Sequence, residues 1–75
     1  MNRGNAQTFL TRKIWCKIRY YQQMHGISNI QLAAVLMIKP RTLTIYDMNA
    51  RNVTLGQLES FLNTYSITLK QLMED

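Results

Sequence analysis

The sequence predicts an all-α domain of five short to medium helices, and three observations predict it. Ser28 and Gln31, Thr54 and Gln57, and Thr68 and Gln71 each form the S/T-x-x-Q pattern that closes a helix N-terminus on itself. Apolar residues recur at three and four positions, and no segment alternates with period two, so strands are not expected. The single cysteine, Cys16, leaves no intrachain disulfide, so a chain of 75 residues must be held by packing or by packing with oligomerisation.

The helices can be justified in order. In the first, Leu10, Ile14, Ile18 and Tyr21 repeat at four, four and three, which predicts a helix from about Thr8 to His25 ending at Gly26, a residue suited to a C-cap. Residues 1–7, polar and carrying Arg3, are expected to be a flexible basic tail, with residues 8–75 forming one domain. Ser28 starts the second helix near 29. There Ile30, Ala33, Ala34 and Met37 share one side while Leu32 and Leu36 share another, which predicts burial on more than one side. The third starts at Pro40, because proline suits the first helical position, where its missing N–H has no intrahelical partner. Lys39 before it cannot accept a bond from free N–H groups, so this helix begins without a side-chain cap. Thr54 opens a fourth helix with the stripe Leu55, Leu58, Phe61, Leu62 and Tyr65, and Thr68 opens a fifth of about a turn and a half with Leu69, Leu72 and Met73.

Charge divides the chain. Arg3, Arg12, Lys13, Lys17 and Arg19 face no acid over residues 1–27, and Lys39, Arg41 and Arg51 stand against Asp47 alone over residues 28–53. The last stretch reverses sign, with Glu59, Glu74 and Asp75 against Lys70. A polyanion is the natural partner of the basic part, and phosphate neutralisation supplies most non-specific affinity for DNA. The longest apolar run, Leu32 to Ile38, is too short to cross a bilayer, and the N-terminus has no apolar stretch with a cleavage site, so a cytoplasmic protein without a membrane partner is expected.

Enzyme chemistry is set aside. His25 and Cys16 are nine residues apart, about 900° of helix rotation, which places them on opposite faces rather than in a nucleophile and base pair. The four acids and single His and Cys offer no metal cluster and no spaced acid and base, so no cofactor is expected. Trp15 and Tyr20 fall off the apolar stripe of the first helix on different sides of it, and either is a candidate anchor for a partner.

From Ile18 to Met73, "IRYYQQMHGIS", "NIQLAAVLMI", "KPRTLTIYDMN" and "VTLGQLESFLNTYSITLKQLM" together resemble the lambda-repressor-like helix-turn-helix family, the group of phage Cro and repressor headpieces and xenobiotic-response-element regulators. The resemblance needs no gap and covers about three quarters of the chain. It implies a helix-turn-helix at about residues 29–48, a double-stranded DNA operator as partner, and a homodimer whose contact lies in residues 65–75. It also implies a transcription regulator of phage or mobile-element type in a bacterial host. Independently of the family, two short helices that approach closely need a small residue, Ala33, and apolar residues returning to the same core, Leu43 and Tyr46. The turn between them wants positive φ, where the family has glycine and this chain has Met37, at a strain of roughly 1 kcal/mol.

The candidate reading residues follow from the side of the third helix opposite Leu43 and Tyr46. Arg41 can pair with guanine, Thr42 and Thr44 can bond a base or phosphate, and Ile45 can touch a thymine methyl. By resemblance, Asn29 and Lys39 lie near the DNA backbone, Arg51 is a further phosphate candidate in the following loop, and Arg3 would follow the duplex as part of an arm. The family often places an arginine and a glutamate where this chain has Gln22 and Asp47, which implies a charge-assisted hydrogen bond between those two here. The alternative, from a different class, is the same scaffold used as a protein-binding module such as a small phage inhibitor of a host or defence protein, motivated by the thin base-reading surface, the uncapped third helix and Trp15.

Overall fold

The computed structural model describes residues 3–74, with side chains from residue 9 onward. Among the described residues the protein is all-helical, without a strand: α1 (Arg3–Met24), α2 (Asn29–Leu36), α3 (Pro40–Met48), a 3₁₀ turn (Ala50–Asn52), α4 (Leu55–Tyr65) and α5 (Leu69–Glu74). Every helix start read from a capping box or from Pro40 falls where the sequence places it. The first helix begins at Arg3 rather than Thr8. The expected tail falls largely on residues whose side chains lie outside those described, as does the phosphate contact expected of Arg3.

All three capping boxes are formed. Ser28, Thr54 and Thr68 accept from the backbone N–H of Gln31, Gln57 and Gln71 at 3.1 Å each, and the glutamine Oε1 atoms accept in return from the cap N–H groups at 2.8 to 2.9 Å. The helix ends share a second device. Gly26, Met37 and Ser66 adopt φ of +64°, +60° and +54°. In each case the next residue, Ile27, Ile38 or Ile67, donates its N–H to a carbonyl five residues back, on Gln22, Ala33 or Leu62. These are Schellman caps, and the isoleucine that follows each one packs against the core, as that motif favours. The φ expected of Met37 is therefore present, and two other turns are built the same way.

The core gathers Trp15 and Ile18 of α1, Leu32, Ala33 and Leu36 of α2, Leu43 and Tyr46 of α3, Ala50, Leu58 and Phe61 of α4, and Leu72 of α5. Its composition corrects three expectations. Leu10, at the outer end of the α1 stripe, is exposed, while Trp15 is only 2% exposed. The buried face of α1 is centred on Ile18 and rotated by about 40° from the Ile14 edge, because α3, the 3₁₀ turn and α5 all pack against it. Ile30, Ala34 and Met37 are exposed, so α2 is buried on the Leu32, Ala33, Leu36 side alone. Leu55 and Leu69, at the first positions of α4 and α5, are exposed as well.

Polar bonds pin α4 to the helices before it. Ser60 Oγ donates to the Val35 carbonyl at 2.7 Å, satisfying one of the acceptors that the C-terminus of α2 leaves open. Gln57 Nε2 donates to the Tyr46 hydroxyl at 3.2 Å, and that hydroxyl donates to the Asn52 carbonyl at 3.4 Å. The result is that α3 is held along its inner side by apolar contact and at Tyr46 by hydrogen bonds.

Candidate nucleic-acid interface

The inner side of α3 determines its outer side. With Leu43 and Tyr46 buried, a rotation of 100° per residue points Arg41, Thr44, Ile45 and Met48 away from the core, and all four are exposed. Ile45 is 56% and Met48 83% exposed. Thr42, expected on the outer side, instead lies half-buried on the flank, only one residue before Leu43, and Asp47 lies on the other flank, toward α1. Met48 was missed by sequence reasoning, which stopped at the first two turns. The signal was available, since it stands one turn beyond Ile45 and two beyond Arg41.

The start of α3 is open. Lys39 has the extended backbone of a cap residue, φ −81° and ψ 150°, and its side chain makes no cap bond. Pro40 has no N–H to satisfy, and the Thr42 N–H donates back to the Lys39 carbonyl at 2.9 Å. The Arg41 N–H is left without a side-chain acceptor, beside the exposed side chains of Lys39 and Arg41. Such an end attracts an anion through the Arg41 N–H and the helix dipole. Arg51, in the 3₁₀ turn after α3, is exposed, and its N–H donates to Asn49 Oδ1 at 3.0 Å.

On the flank facing α1, a polar network joins three helices. Arg19 makes a two-pronged contact with Asp47, Nε to Oδ1 at 3.0 Å and Nη2 to Oδ2 at 2.7 Å. Its third donor atom, Nη1, reaches Gln22 Oε1 at 2.7 Å and Asn29 Oδ1 at 2.9 Å. Gln22 Nε2 also donates to Asn29 Oδ1, at 2.8 Å, and the Trp15 indole N–H donates to Asp47 Oδ1 at 2.7 Å. The Arg19 guanidinium lies 5.7 Å from the centre of the Trp15 ring, which meets Tyr46 edge-on at 5.2 Å. Hydrogen bonding from Arg19 holds the Asp47 carboxyl below the ordinary aspartate value of 3.8, against partial desolvation, with the Trp15 N–H and the Arg19 charge adding to the depression.

This network corrects two expectations. The partner of Asp47 is Arg19 rather than Gln22, one helical turn earlier on α1, and Gln22 is buried between Arg19 and Asn29. A guanidinium supplies the planar pair of donors that a carboxylate accepts best, which a glutamine amide cannot. Trp15 is a core residue with its N–H bonded, so it offers no exposed anchor, whereas Tyr20 is 45% exposed. An open groove beside the network is lined by Trp15, Cys16, Arg19, Tyr20, Gln23 and Asn29. Asn29 itself is exposed at the first position of α2, and its oxygen is fixed by two donors, which leaves its amide nitrogen free to donate outward.

The arrangement brings Lys39, Arg41, Thr44 and Ile45 to one end and one side of α3, with Thr42 on its flank. Asn29 and Arg51 stand on the neighbouring elements. His25 stacks on Tyr21 with ring centres 4.0 Å apart, and Cys16 is exposed. No group of three His, Cys, Asp or Glu gathers at one point among the described residues, and no described helix is long and apolar enough to cross a membrane. Comparison with family models, with curated proteins and with solved structures finds no match.

Proposed function

We propose that this protein is a sequence-specific double-stranded DNA-binding transcription regulator of the lambda-repressor-like, Cro-like helix-turn-helix type, with α2 and α3 as the motif and α3 entering the major groove. One observation carries the reading: α3 is locked into the core by Leu43 and Tyr46 and turns Arg41, Thr44, Ile45 and Met48 outward from an uncapped, basic N-terminus. The major groove is wide enough for one helix, and residues near the start of such a helix meet base edges. Arg41 reads guanine, Thr44 and the flanking Thr42 bond bases or phosphate, and Ile45 contacts a thymine methyl. Lys39, Asn29 and Arg51 hold the backbone and set the register, since phosphate contacts position while base contacts specify. The Arg19–Asp47 pair supports this by fixing α3 and Asn29 against α1.

On this reading the protein acts as a homodimer on a palindromic operator, with two copies of α3 in successive major grooves about 34 Å apart, and excludes polymerase or a competing repressor. The test is selection of bound duplexes from a random library by the full-length protein, followed by salt titrations. A palindromic consensus, and an Arg41→Ala loss of about 1–3 kcal/mol confined to that consensus, are expected. Equal affinity for selected and random duplexes, or an Arg41→Ala variant that binds as tightly as the parent, overturns the reading.

A second reading, a protein-binding module, retains one observation, the groove at Cys16 and Tyr20, whose concave mixed surface suits a partner's side chain. Tyr20→Ala separates the two, because it should leave duplex binding unchanged under the first reading and abolish partner capture under the second.

A further inference from the structure

The outer strip of α3 is half apolar and begins at an open, basic helix end. Ile45 and Met48 are one turn apart, both largely in water, on a helix whose other large apolar side chains, Leu43 and Tyr46, are buried. Resting on the DNA-binding reading above, in which Ile45 meets a thymine methyl, we infer that Met48 makes a second such contact and that the preferred duplex carries thymines within about three base pairs of a guanine read by Arg41.

Charge identifies the occupant of this strip. Lys39 and Arg41 stand at its head and Arg51 follows its end, and the one acid nearby, Asp47, is turned to the flank and tied to Arg19 and Trp15. The strip is therefore apolar within a cationic surround, which fits a polyanion carrying apolar groups. It is also narrow: a nine-residue helix is about 13 Å long, and four side chains fall well short of the roughly 800 Å² per partner that a stable protein interface buries. In the major groove the apolar group on offer is the thymine C5 methyl, and its edge patterns otherwise consist of donors and acceptors.

The geometry sets the spacing. Arg41 and Met48 are seven residues apart, about 10 Å along the helix axis, which corresponds to about three base-pair steps. Ile45 lies between them, little more than one turn beyond Arg41. Branched at Cβ, Ile45 holds one shape and should discriminate more sharply than Met48, whose unbranched chain adapts to its surroundings.

Replacing thymine by uracil deletes the methyl group and leaves the hydrogen-bonding edge intact, so it isolates the contact. In the duplex selected by the full-length protein, each thymine is exchanged singly for uracil and the affinity of each duplex is measured at one salt concentration. Uracil at the position facing Ile45 should weaken binding about fourfold, the weight of one buried methyl group, and uracil facing Met48 by less. Ile45→Ala should abolish the thymine–uracil difference at the first position and Met48→Ala at the second, while Lys39→Ala weakens thymine and uracil duplexes alike. Both apolar side chains are exposed, so these variants should retain the parent's helical circular dichroism and thermal midpoint. Uracil duplexes that bind as tightly as the thymine parent, or a difference that survives both alanine variants, overturn the methyl contact while the DNA reading stands. A protein that selects no sequence at all overturns both.

Discussion

The consecutive helices α2 and α3 are nearly equal in length, eight and nine residues, and they begin in opposite ways. The N-terminus of α2 is closed: Ser28 and Gln31 satisfy each other's backbone N–H groups, and the Asn29 oxygen is held by Arg19 and Gln22. That of α3 is open, with Lys39 bonding nothing there by its side chain and Pro40 removing a donor instead of satisfying one. The apolar faces differ too. Leu32, Ala33 and Leu36 of α2 are each at most 1% exposed, with Ile30 alone of its large apolar side chains in water, while α3 buries Leu43 and Tyr46 and leaves two, Ile45 and Met48, in water. The start of α2 is finished by its own molecule, whereas α3 is left with an unsatisfied N–H at its tip and an outer side that carries Arg41, Thr44, Ile45 and Met48. This division of roles is what a scaffold and a reading element require.

The largest effect should come from breaking that division in the core. Leu36→Ala removes a fully packed side chain and leaves a cavity, and should destabilise the fold by about 2–5 kcal/mol in denaturant unfolding. Ile45→Ala, a loss of similar size on the open helix, should stay within about 0.5 kcal/mol. Near-equal losses would mean that the outer side of α3 is covered in solution.

Next in size is the network that joins the two helices to α1. The ion pair is partly exposed, 25% at Arg19 and 40% at Asp47, so its screened contribution is modest; Arg19→Ala, which also strips two bonds from Gln22 and Asn29, should lose about 1–2 kcal/mol. The Asp47 carboxyl is held below 3.8, so in the folded state it gives up its proton more readily than in the unfolded chain. Its contribution is then fully present above pH 3.8 and is lost as pH falls through the depressed value, because the unfolded chain takes up the proton first. Thermal unfolding of Asp47→Asn across that range should show a lower midpoint at neutral pH and a flatter decline in acid than the parent.

The local rules of this fold were legible and the long-range polar contacts were not. The three capping boxes and Pro40 at a helix start depend on residues within five positions of each other, and the chain states them directly, whereas positive φ at Met37 was expected only from the turn that a helix-turn-helix needs. The Schellman caps were half-legible: a helix end followed by isoleucine occurs at Gly26-Ile27, Met37-Ile38 and Ser66-Ile67, and only the glycine announced itself. The Arg19–Asp47 bond spans 28 residues and the Trp15–Asp47 bond 32, and nothing local distinguishes Arg19 from Arg12, its neighbour on the same side of α1. Trp15 was misplaced because a stripe read from one helix assumes a single covering neighbour, whereas several elements pack on α1 and α3 covers Trp15. The outer strip of α3 was legible through its complement, since fixing Leu43 and Tyr46 inward leaves Arg41, Thr44 and Ile45 outward, although Thr42, expected with them, lies half-buried on the flank.

Closing the open end tests the contrast directly. Lys39 already has a cap residue's backbone, so Lys39→Asp should gain about 1 kcal/mol of stability by accepting from the open first turn and by placing a negative charge at the positive end of the helix dipole. The same change should weaken duplex binding at every sequence, since it removes a cation and occupies the donors that would meet a phosphate. Ser28→Ala should do the reverse to α2, losing about 1 kcal/mol of stability with a smaller effect on binding. Stability and affinity moving together in Lys39→Asp would show that the open end of α3 is not where the anion sits.

The smallest effect expected concerns the turn between the two helices. Met37 holds φ +60° without a glycine's freedom, at a strain of roughly 1 kcal/mol, and its side chain is 75% exposed, so little packing is lost by removing it. Met37→Gly relieves the strain and adds backbone freedom to the unfolded chain, and the two together should leave a net gain of about 0.5 kcal/mol. Ser66→Gly, in the same kind of cap after α4, should gain about as much. The reverse change, Gly26→Ala, calibrates both: an added Cβ there meets nothing within 4 Å, so its loss reports the left-handed backbone alone. If Met37→Gly gains as much as Ser66→Gly but loosens duplex binding, the turn's rigidity serves the placement of α3. If Met37→Gly instead loses stability, the methionine contributes packing that its exposure does not suggest, and the two-helix unit is tighter than its strained turn implies.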